Sequence, residues 1–242
     1  MAIAIEKWNL HKRIALTIIS LIGTEIKRLI LGFMIATAFL SMWISNTATA
    51  VMMLPIGIAI IKQMKDLKST EEDENLIFGK ALMLSIAFSA SIGGLATIIG
   101  TPPNLVFSGI VEEIYNIEIS FKEWFIFGFP ISVLLLFIAW FYITNVAFRF
   151  KQTEFKEADS EIKNQLNALG PIRYEEKIVL FIFIITAVSW ILRKDVINIF
   201  IPSLDDTMIA LFAGLSLFLI GSGDSNKENK IMHWEDAVKL PW

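Results

Sequence analysis

Two groups of uncharged polar residues interrupt the most apolar parts of this chain, and their atoms are suited to binding ions. The first group contains Ser41, Ser45, Asn46 and Thr47. Ser41 and Ser45 are one helical turn apart, which predicts that their hydroxyls share a face at the end of a helix near Ile44. Hydroxyl, amide and main-chain carbonyl oxygens are neutral, hard ligands of the kind that small cations prefer. The first group therefore predicts a site for an ion such as Na⁺.

A helix that restarts after this group is expected to attract an anion. We predict Asn46 or Thr47 as its N-cap and Ala48 as its first residue. The free N–H groups at a helix start carry partial positive charge and form a ready anion site. A cation and an anion could then be held side by side.

The second group lies further along the chain and predicts the same construction. The pair Gly93-Gly94 can end a helix, because glycine accepts the left-handed cap conformation. Thr101 suits the N-cap of the next helix, and Pro102 suits the first helical position, where no N–H is needed. Thr97 and Asn104 add polar side chains beside this break.

The elements that must hold these groups are helices in a membrane. The chain is 55% hydrophobic, with a mean hydropathy of +0.62. Residues 29–61 and 81–111 carry no charge, and each stretch is longer than the roughly 20 residues that cross a bilayer once. Further apolar runs occupy residues 124–148, 178–192 and 207–223. These patterns predict an all-α, polytopic membrane protein with an unwound transmembrane helix in the second uncharged stretch.

Composition excludes several other classes of function. The chain has no cysteine, which rules out disulfides, zinc–thiolate sites and thiol nucleophiles. Both histidines lie in charged flanking segments, and no spacing matches a catalytic or metal-ligand motif. No basic block is dense enough for nucleic acid. We therefore expect neither an enzyme nor a nucleic-acid partner.

The distribution of Lys and Arg predicts the course of the first broken stretch. Basic residues are concentrated after residue 61, after residue 148 and after residue 223. Such residues mark the cytoplasmic side of a membrane protein. All three sets share that side only if residues 29–61 enter and leave on the same face. We therefore predict a re-entrant hairpin whose tip is the turn at residues 45–47.

Seven segments follow from these patterns in chain order. They are an interfacial segment (1–24), a re-entrant hairpin (25–66), a broken transmembrane helix (75–118), a transmembrane helix (121–149), a cytoplasmic amphipathic linker (150–172), two transmembrane helices (173–224) and a cytoplasmic lead-in (225–242). The mixed charges of the linker fit either an amphipathic helix on the cytoplasmic surface or a solvated chain.

Four motifs at the two breaks carry a family resemblance. They are Ser41-Met42-Trp43-Ile44-Ser45-Asn46-Thr47-Ala48-Thr49, Met53-Leu54-Pro55, Ser89-Ala90-Ser91-Ile92-Gly93-Gly94 and Thr97-Ile98-Ile99-Gly100-Thr101-Pro102-Pro103-Asn104. In order and spacing they resemble the divalent anion:sodium symporter family, whose members carry dicarboxylates, citrate or sulfate with Na⁺. Residues 234–242 resemble the lead-in to the binding half of that family's second repeat.

The resemblance implies a fold and a set of ligands. The family has two inverted repeats, each with a re-entrant hairpin and an unwound helix, so this chain would hold one repeat and the start of a second. The implied sodium ligands are Ser41, Ser45, Asn46 and Gly100. The implied contacts to a substrate carboxylate are Asn46, Thr47, Thr101 and Pro102. The resemblance also implies a homodimer in the cytoplasmic membrane, with a transport domain that moves against a scaffold in an elevator-like step.

The implied function is secondary active transport of a di- or tricarboxylate, such as succinate, malate, fumarate or citrate, together with Na⁺. A carrier of another anion, such as sulfate or arsenite, and a proton-coupled carrier remain open. An anion channel is a different class, but broken helices around a neutral site favour occlusion over a continuous pore. Saturable uptake that depends on a Na⁺ gradient distinguishes a carrier from a channel.

The chain contains a single Ser-Asn-Thr motif, whereas the family has one in each repeat, so we expect either a fragment of a longer protein or a truncated gene product. We predict that this polypeptide, reconstituted alone in liposomes, takes up no succinate in response to a Na⁺ gradient, because half of the binding site would be missing. Labelled succinate measures the uptake, with empty liposomes as the baseline. Na⁺-driven uptake above that baseline would contradict the prediction.

Overall fold

The computed structural model describes residues 1–23, 25–66, 72–150, 156–223 and 230–238. Parts of the predicted linker (150–172) and lead-in (225–242) lie outside these ranges. Among the basic residues that predict which side of the membrane each segment faces, Lys68, Lys151, Lys227 and Lys239 also lie outside them. Within the described ranges every regular element is a helix, apart from one β-bridge between Gly221 and Lys230. The prediction of an all-α protein is confirmed.

The helices follow the order of the apolar runs. They are α1 (Ala2–Lys7), α2 (Leu10–Ile22), α3 (Ile26–Ser41), α4 (Asn46–Asp66), α5 (Glu72–Leu95), α6 (Pro102–Tyr115), α7 (Phe121–Phe141), α8 (Lys156–Ala168), α9 (Tyr174–Leu192), α10 (Asn198–Phe200), α11 (Asp206–Leu219) and α12 (Trp234–Val238). Two π-helical segments, Tyr142–Ala147 and Arg193–Ile197, continue α7 and α9.

The chain forms two compact units. The larger unit contains Lys12–Ile119 and Trp124–Gly170, and the smaller unit contains Met1–His11, Ser120–Glu123 and Pro171–Trp242. The hydrophobic core of the larger unit is built mainly from buried side chains of α2, α3, α4 and α5, with Ile143, Ala158 and Ile162 added from later elements. Both uncharged stretches of the sequence lie in this unit, so it alone holds the two predicted breaks.

The described part of the linker is a packed helix. α8 lies against α4, and its Ala158 and Ile162 are 0% and 1% exposed within the core of the larger unit. This burial favours the amphipathic helix over the solvated chain. Its location on a cytoplasmic membrane surface stays a prediction.

α4 runs in the opposite direction to α5. Asn46, at the start of α4, lies against Gly94, near the end of α5. Ile61, near the end of α4, lies against Gly79, near the start of α5. Gly94 permits the close approach at Asn46, since a Cβ added there would stand 2.3 Å from Asn46 Oδ1, whereas a Cβ at Gly79 would make an ordinary contact with Ile61 Cδ1 at 3.5 Å.

α3 runs in the same direction as α5, as its contacts with α7 show. Trp124, near the start of α7, donates a hydrogen bond to the last carbonyl of α5. Trp140, near the other end of α7, donates to Lys27 O at the start of α3 at 2.9 Å. The end of α3 lies instead at the end of α5, where Ala38 faces Gly93. Because α4 runs against α5, α3 and α4 form a helical hairpin with residues 42–45 at its tip. Re-entry of this hairpin into a membrane stays a prediction.

Two helices within the described residues are long and apolar enough to cross a membrane, Asn75–Leu95 and Phe121–Ala147. A core helix of a soluble protein can be equally apolar, but it is mostly buried. Only 17% of the most apolar window of Phe121–Ala147 is buried, so this helix presents its apolar side chains outward. Asp206–Leu219 is apolar but shorter, and the two predicted crossings at 173–224 stay predictions.

Candidate functional site

The first break is short and begins a new helix at once. α3 ends at Ser41 and α4 begins at Asn46. The N-cap of α4 is Ser45, whose Oγ accepts the Ala48 N–H at 3.3 Å. The prediction that Asn46 or Thr47 caps this helix is therefore wrong, because the Ser45 hydroxyl already reaches the third N–H of the helix.

Ser41 and Ser45 do not share a helix face, contrary to the prediction. The N–H groups of Trp43 and Ile44 both donate to Leu40 O at 3.0 Å, so the chain tightens into a turn after Ser41 instead of continuing as an α-helix. Ser41 is 0% exposed, whereas Ser45 is exposed. The two hydroxyls therefore differ in their surroundings.

Ser41 Oγ lies in a cluster of oxygen atoms. It is 2.7 Å from Asn46 Oδ1 and 2.6 Å from the main-chain oxygen of Ala90 in α5. A serine hydroxyl has one hydrogen to donate, so it satisfies only one of these acceptors at a time. The second oxygen keeps its lone pairs beside a buried hydroxyl, which suits a small, hard cation.

The second break leaves the last four carbonyls of α5 without helical partners, and the larger unit supplies a donor to each. The bonds are Ser132 Oγ to Ile92 O (2.7 Å), Ala96 N to Gly93 O (3.0 Å), Asn104 Nδ2 to Gly94 O (2.9 Å) and Trp124 Nε1 to Leu95 O (3.0 Å). A helix end within hydrocarbon requires such partners, because no water is present to replace them.

Gly93 and Gly94 have a role other than the predicted one. α5 continues to Leu95, and neither glycine has a positive φ, so the predicted left-handed cap is wrong. The missing side chains instead permit close contact. A Cβ at Gly93 would stand 2.3 Å from Ala38 O, and one at Gly94 would stand 2.3 Å from Asn46 Oδ1.

α6 begins as predicted, but it offers few donors to an anion. Pro102 is its first residue and Thr101 its N-cap, although the Thr101 side chain makes no capping bond. Pro102 and Pro103 have no N–H, and the Asn104 N–H donates to Thr101 O at 3.1 Å. The prediction of two equivalent anion-attracting helix starts therefore needs correction, because the first N–H groups of α6 are missing or used.

The start of α4 keeps more unused main-chain donors than the start of α6. The main-chain N–H groups of Asn46 and Thr47 have no hydrogen-bond acceptor among the described residues. Thr47 is exposed and Asn46 is partly exposed, so a ligand can reach both. Two free N–H groups at a helix start are the arrangement that binds carboxylates and phosphates.

The two breaks meet inside the larger unit. Thr97 Oγ1 donates to Met42 O at 2.5 Å, which ties the second break to the tip of the hairpin. A Cβ at Gly100 would stand 2.6 Å from Gly94 O, and Gly94 in turn faces Asn46. The structure thus brings Gly100 into the same region as the sodium candidates of the first break.

The remaining carboxylate candidates lie at helix starts. Thr47 is in the first turn of α4, and Thr101 and Pro102 are at the start of α6. Thr47 and Pro102 are exposed, and Thr101 is partly exposed. Within the described part of the chain, the hydroxyls of Thr47 and Thr101 make no hydrogen bond. The convergence of these two side chains on one ligand stays a prediction.

Sequence reasoning missed the residues of α7 that close the second break. Trp124, Gly128 and Ser132 recur every fourth residue, which places them on one face of α7. That face lies against the end of α5, where a Cβ at Gly128 would stand 2.6 Å from Leu95 O. Small or polar residues at this spacing in an apolar helix indicate close helix packing, and this signal could have found them.

Comparison with known proteins extends over the whole chain. Residues 1–242 match the family described as the sodium:sulfate symporter transmembrane region. The chain is 43% identical over 246 residues to the sodium-dependent dicarboxylate transporter SdcS of Staphylococcus saprophyticus, and equally to that of Staphylococcus aureus strain USA300. These alignments cover 100% of the chain and 47% of each relative, so the chain spans about half the length of the curated relatives it matches.

The contact between Gly93 and Ala38 predicts that Gly93→Ala destabilises the protein. The new methyl group would overlap the backbone of α3, and overpacking of this kind costs about 1–3 kcal/mol. Gly109→Ala is the matched control, because nothing lies within 4 Å of its Cβ position and alanine favours a helix interior by about 0.5–1 kcal/mol. Thermal unfolding in one detergent measures both. Equal stability of Gly93→Ala and wild type would contradict the close contact.

The hydrogen bond from Ser132 predicts a second, smaller effect. Ser132→Ala removes the donor to Ile92 O and should cost about 1 kcal/mol, because a buried acceptor is left unpaired. Ser91→Ala is the control, since the exposed Ser91 hydroxyl contacts only Ala87 O at 3.5 Å. The midpoint of thermal unfolding should fall for Ser132→Ala alone. A matching fall for both variants would show that the bond to Ile92 contributes nothing.

Proposed function

The chain belongs to the sodium:sulfate symporter family, and on that basis we propose that it forms part of a carrier that moves Na⁺ together with a di- or tricarboxylate across the cytoplasmic membrane. One observation carries the proposal: the two helix breaks meet in one oxygen-rich region. Neither of the uncharged stretches that contain them, residues 29–61 and 81–111, has a charged side chain. The names of the relatives, sodium-dependent dicarboxylate transporters, support the choice of ion and substrate class.

Ser41, Ser45, Asn46 and Gly100 are the proposed sodium ligands. The Ser41 hydroxyl and the Asn46 amide oxygen already lie 2.7 Å apart, and the Ala90 carbonyl lies 2.6 Å from the same hydroxyl. Gly100 can contribute only its main-chain carbonyl. The Ser45 hydroxyl accepts one hydrogen bond from Ala48 and retains a second lone pair for a cation.

Asn46, Thr47, Thr101 and Pro102 are the proposed contacts of a substrate carboxylate. The free N–H groups at the start of α4 would donate to it, and the hydroxyls of Thr47 and Thr101 would add further donors. Pro102 would contribute an apolar contact, because it has no N–H. This half of the site therefore recognises a carboxylate with neutral donors.

Coupling between ion and anion follows from their shared residue. Asn46 offers its amide oxygen to the cation cluster and its main-chain N–H to the anion. A dicarboxylate has no fixed positive side chain in either stretch to offset its charge, so a bound Na⁺ must do so. Each ligand therefore raises the affinity for the other, and the two effects are equal by linkage.

The relatives are about twice as long as this chain, and the family resemblance implies an inverted second repeat. We propose that the complete protein adds a second hairpin and a second broken helix to the same substrate. A homodimer and an elevator-like step belong to the same proposal. The test therefore needs the complete protein that carries this sequence.

Two substitutions in that complete protein test the proposed roles. Ser45→Gly removes the hydroxyl but keeps a tolerated N-cap, so its main expected effect is a higher half-saturating Na⁺ concentration. Asn46→Ala removes the amide oxygen from the cation cluster but keeps the main-chain N–H, so it should weaken Na⁺ binding directly and substrate binding through the coupling. Loss of one ligand worth about 1–1.5 kcal/mol raises each half-saturating concentration about 5–10-fold. Uptake of labelled succinate by proteoliposomes, measured across Na⁺ concentrations, provides both values.

Ser91→Ala is the control for these variants, because the exposed Ser91 hydroxyl contacts only Ala87 O and Ser91 is not a proposed ligand. It should leave both half-saturating concentrations unchanged. An unchanged Na⁺ dependence in Ser45→Gly would remove Ser45 from the ion site. If the wild type took up succinate at the same rate with and without a Na⁺ gradient, the proposed function itself would be overturned.

A further inference from the structure

A cavity of about 650 Å³ lies in the smaller unit, apart from the two breaks. Its lining includes Lys7, Trp8, Arg173, Tyr174 and Lys230. The volume is within the range of small-molecule sites, which is about 300–1,000 Å³. Cationic and aromatic side chains dominate this lining, so its chemistry differs from that of the neutral site.

Hydrogen bonds hold the walls of the cavity in place. The walls come from the end of α1, the start of α9 and the segments joined by the Gly221–Lys230 bridge. Trp8 Nε1 donates to Ile231 O at 3.0 Å, and the Gly223 N–H donates to Glu175 Oε1 at 2.9 Å. The cavity is therefore built by the fold of the smaller unit.

The charges that face the cavity leave it positive. Lys7 is paired with Asp236 at 2.6 Å. Among the described residues no ion pair joins the Arg173 or Lys230 side chain to a carboxylate, although Glu176 Oε1 accepts the main-chain N–H of Arg173 at 3.4 Å. Glu175 is the lining carboxylate that opposes the two cations. His233 also lines the cavity. The balance leaves about one positive charge for a singly charged anion, and paired Arg and Lys side chains are typical phosphate ligands.

An apolar stripe continues from the cavity along α9. Tyr174 begins the helix, and Phe181, Ile185 and Val188 follow on the same face at helical spacing. Phe181 is 61% exposed, and Ile185 and Val188 are also exposed. A soluble phosphate compound would leave this apolar stripe exposed, whereas the acyl chain of a lipid would cover it.

We propose that the cavity binds the phosphate group of an acidic phospholipid, with Arg173 and Lys230 as its ligands and an acyl chain along α9. Basic residues around the cavity assign it to the cytoplasmic side, where acidic headgroups attract Lys and Arg. Trp8 and Tyr174 are suited to the level of the headgroups, since their rings have an apolar body and a polar edge. The site is separate from substrate transport.

The test uses the complete protein, purified in neutral detergent, with phosphatidylglycerol or phosphatidylcholine added. At about 100 times the dissociation constant, phosphatidylglycerol should raise the midpoint of thermal unfolding by about 2–5 °C, and phosphatidylcholine should not. Arg173→Gln combined with Lys230→Gln should abolish this shift while leaving the midpoint without lipid unchanged. Arg28→Gln combined with Lys163→Gln removes the same two charge types at exposed positions in the larger unit and should keep the shift.

A second arm distinguishes lipid from soluble phosphate. Glycerol 3-phosphate at millimolar concentration should produce no shift, because it lacks the chain that covers α9. An equal shift with glycerol 3-phosphate would overturn the lipid as ligand. An equal loss of the phosphatidylglycerol shift in both double variants would show that net charge, not the cavity, attracts the lipid, and would overturn the site. If the Arg173→Gln and Lys230→Gln double variant kept the full phosphatidylglycerol shift, the proposed site would also be overturned.

Discussion

The main-chain polar groups at a helix break need hydrogen-bond partners where water is absent, and this constraint governs the larger unit. The end of α5 meets it with donors from Asn104, Trp124 and Ser132, besides the turn that follows it. Each unpaired group would cost about 1–3 kcal/mol, so these bonds fix the positions of α6 and α7 relative to α5. The packing of the unit is thus a consequence of breaking its helices.

The same constraint decides which groups remain for ligands. At α5 every terminal carbonyl has a donor, whereas at the tip of the hairpin a single hydroxyl, that of Ser41, stands between two acceptors. The helix starts also differ, because two prolines remove the donors of α6 while α4 keeps the N–H groups of Asn46 and Thr47. Both the surplus acceptor and the free donors therefore occur at the first break, and Asn46 belongs to each set.

The sequence was sufficient to predict both breaks, since uncharged stretches too long for one crossing must turn or unwind. It also predicted Pro102 at a helix start, because the N–H that proline lacks has no partner within the helix at that position. The errors arose where two local rules compete. Ser45 and Asn46 are equally good caps by residue type, and glycine serves a helix end and a close contact alike. Tertiary contacts distinguish them: the Asn46 amide oxygen lies beside the Ser41 hydroxyl, which leaves the cap to Ser45, and Gly93 lies against Ala38 of α3.

Every bond that closes the two breaks joins residues of the larger unit, including Thr97 to Met42 and Trp124 to Leu95. The oxygen cluster at Ser41 likewise depends only on α3, α4 and α5. The described residues of the larger unit therefore supply every partner named for the two breaks, so the bonds that close the breaks and the oxygen cluster at Ser41 belong to one packed unit.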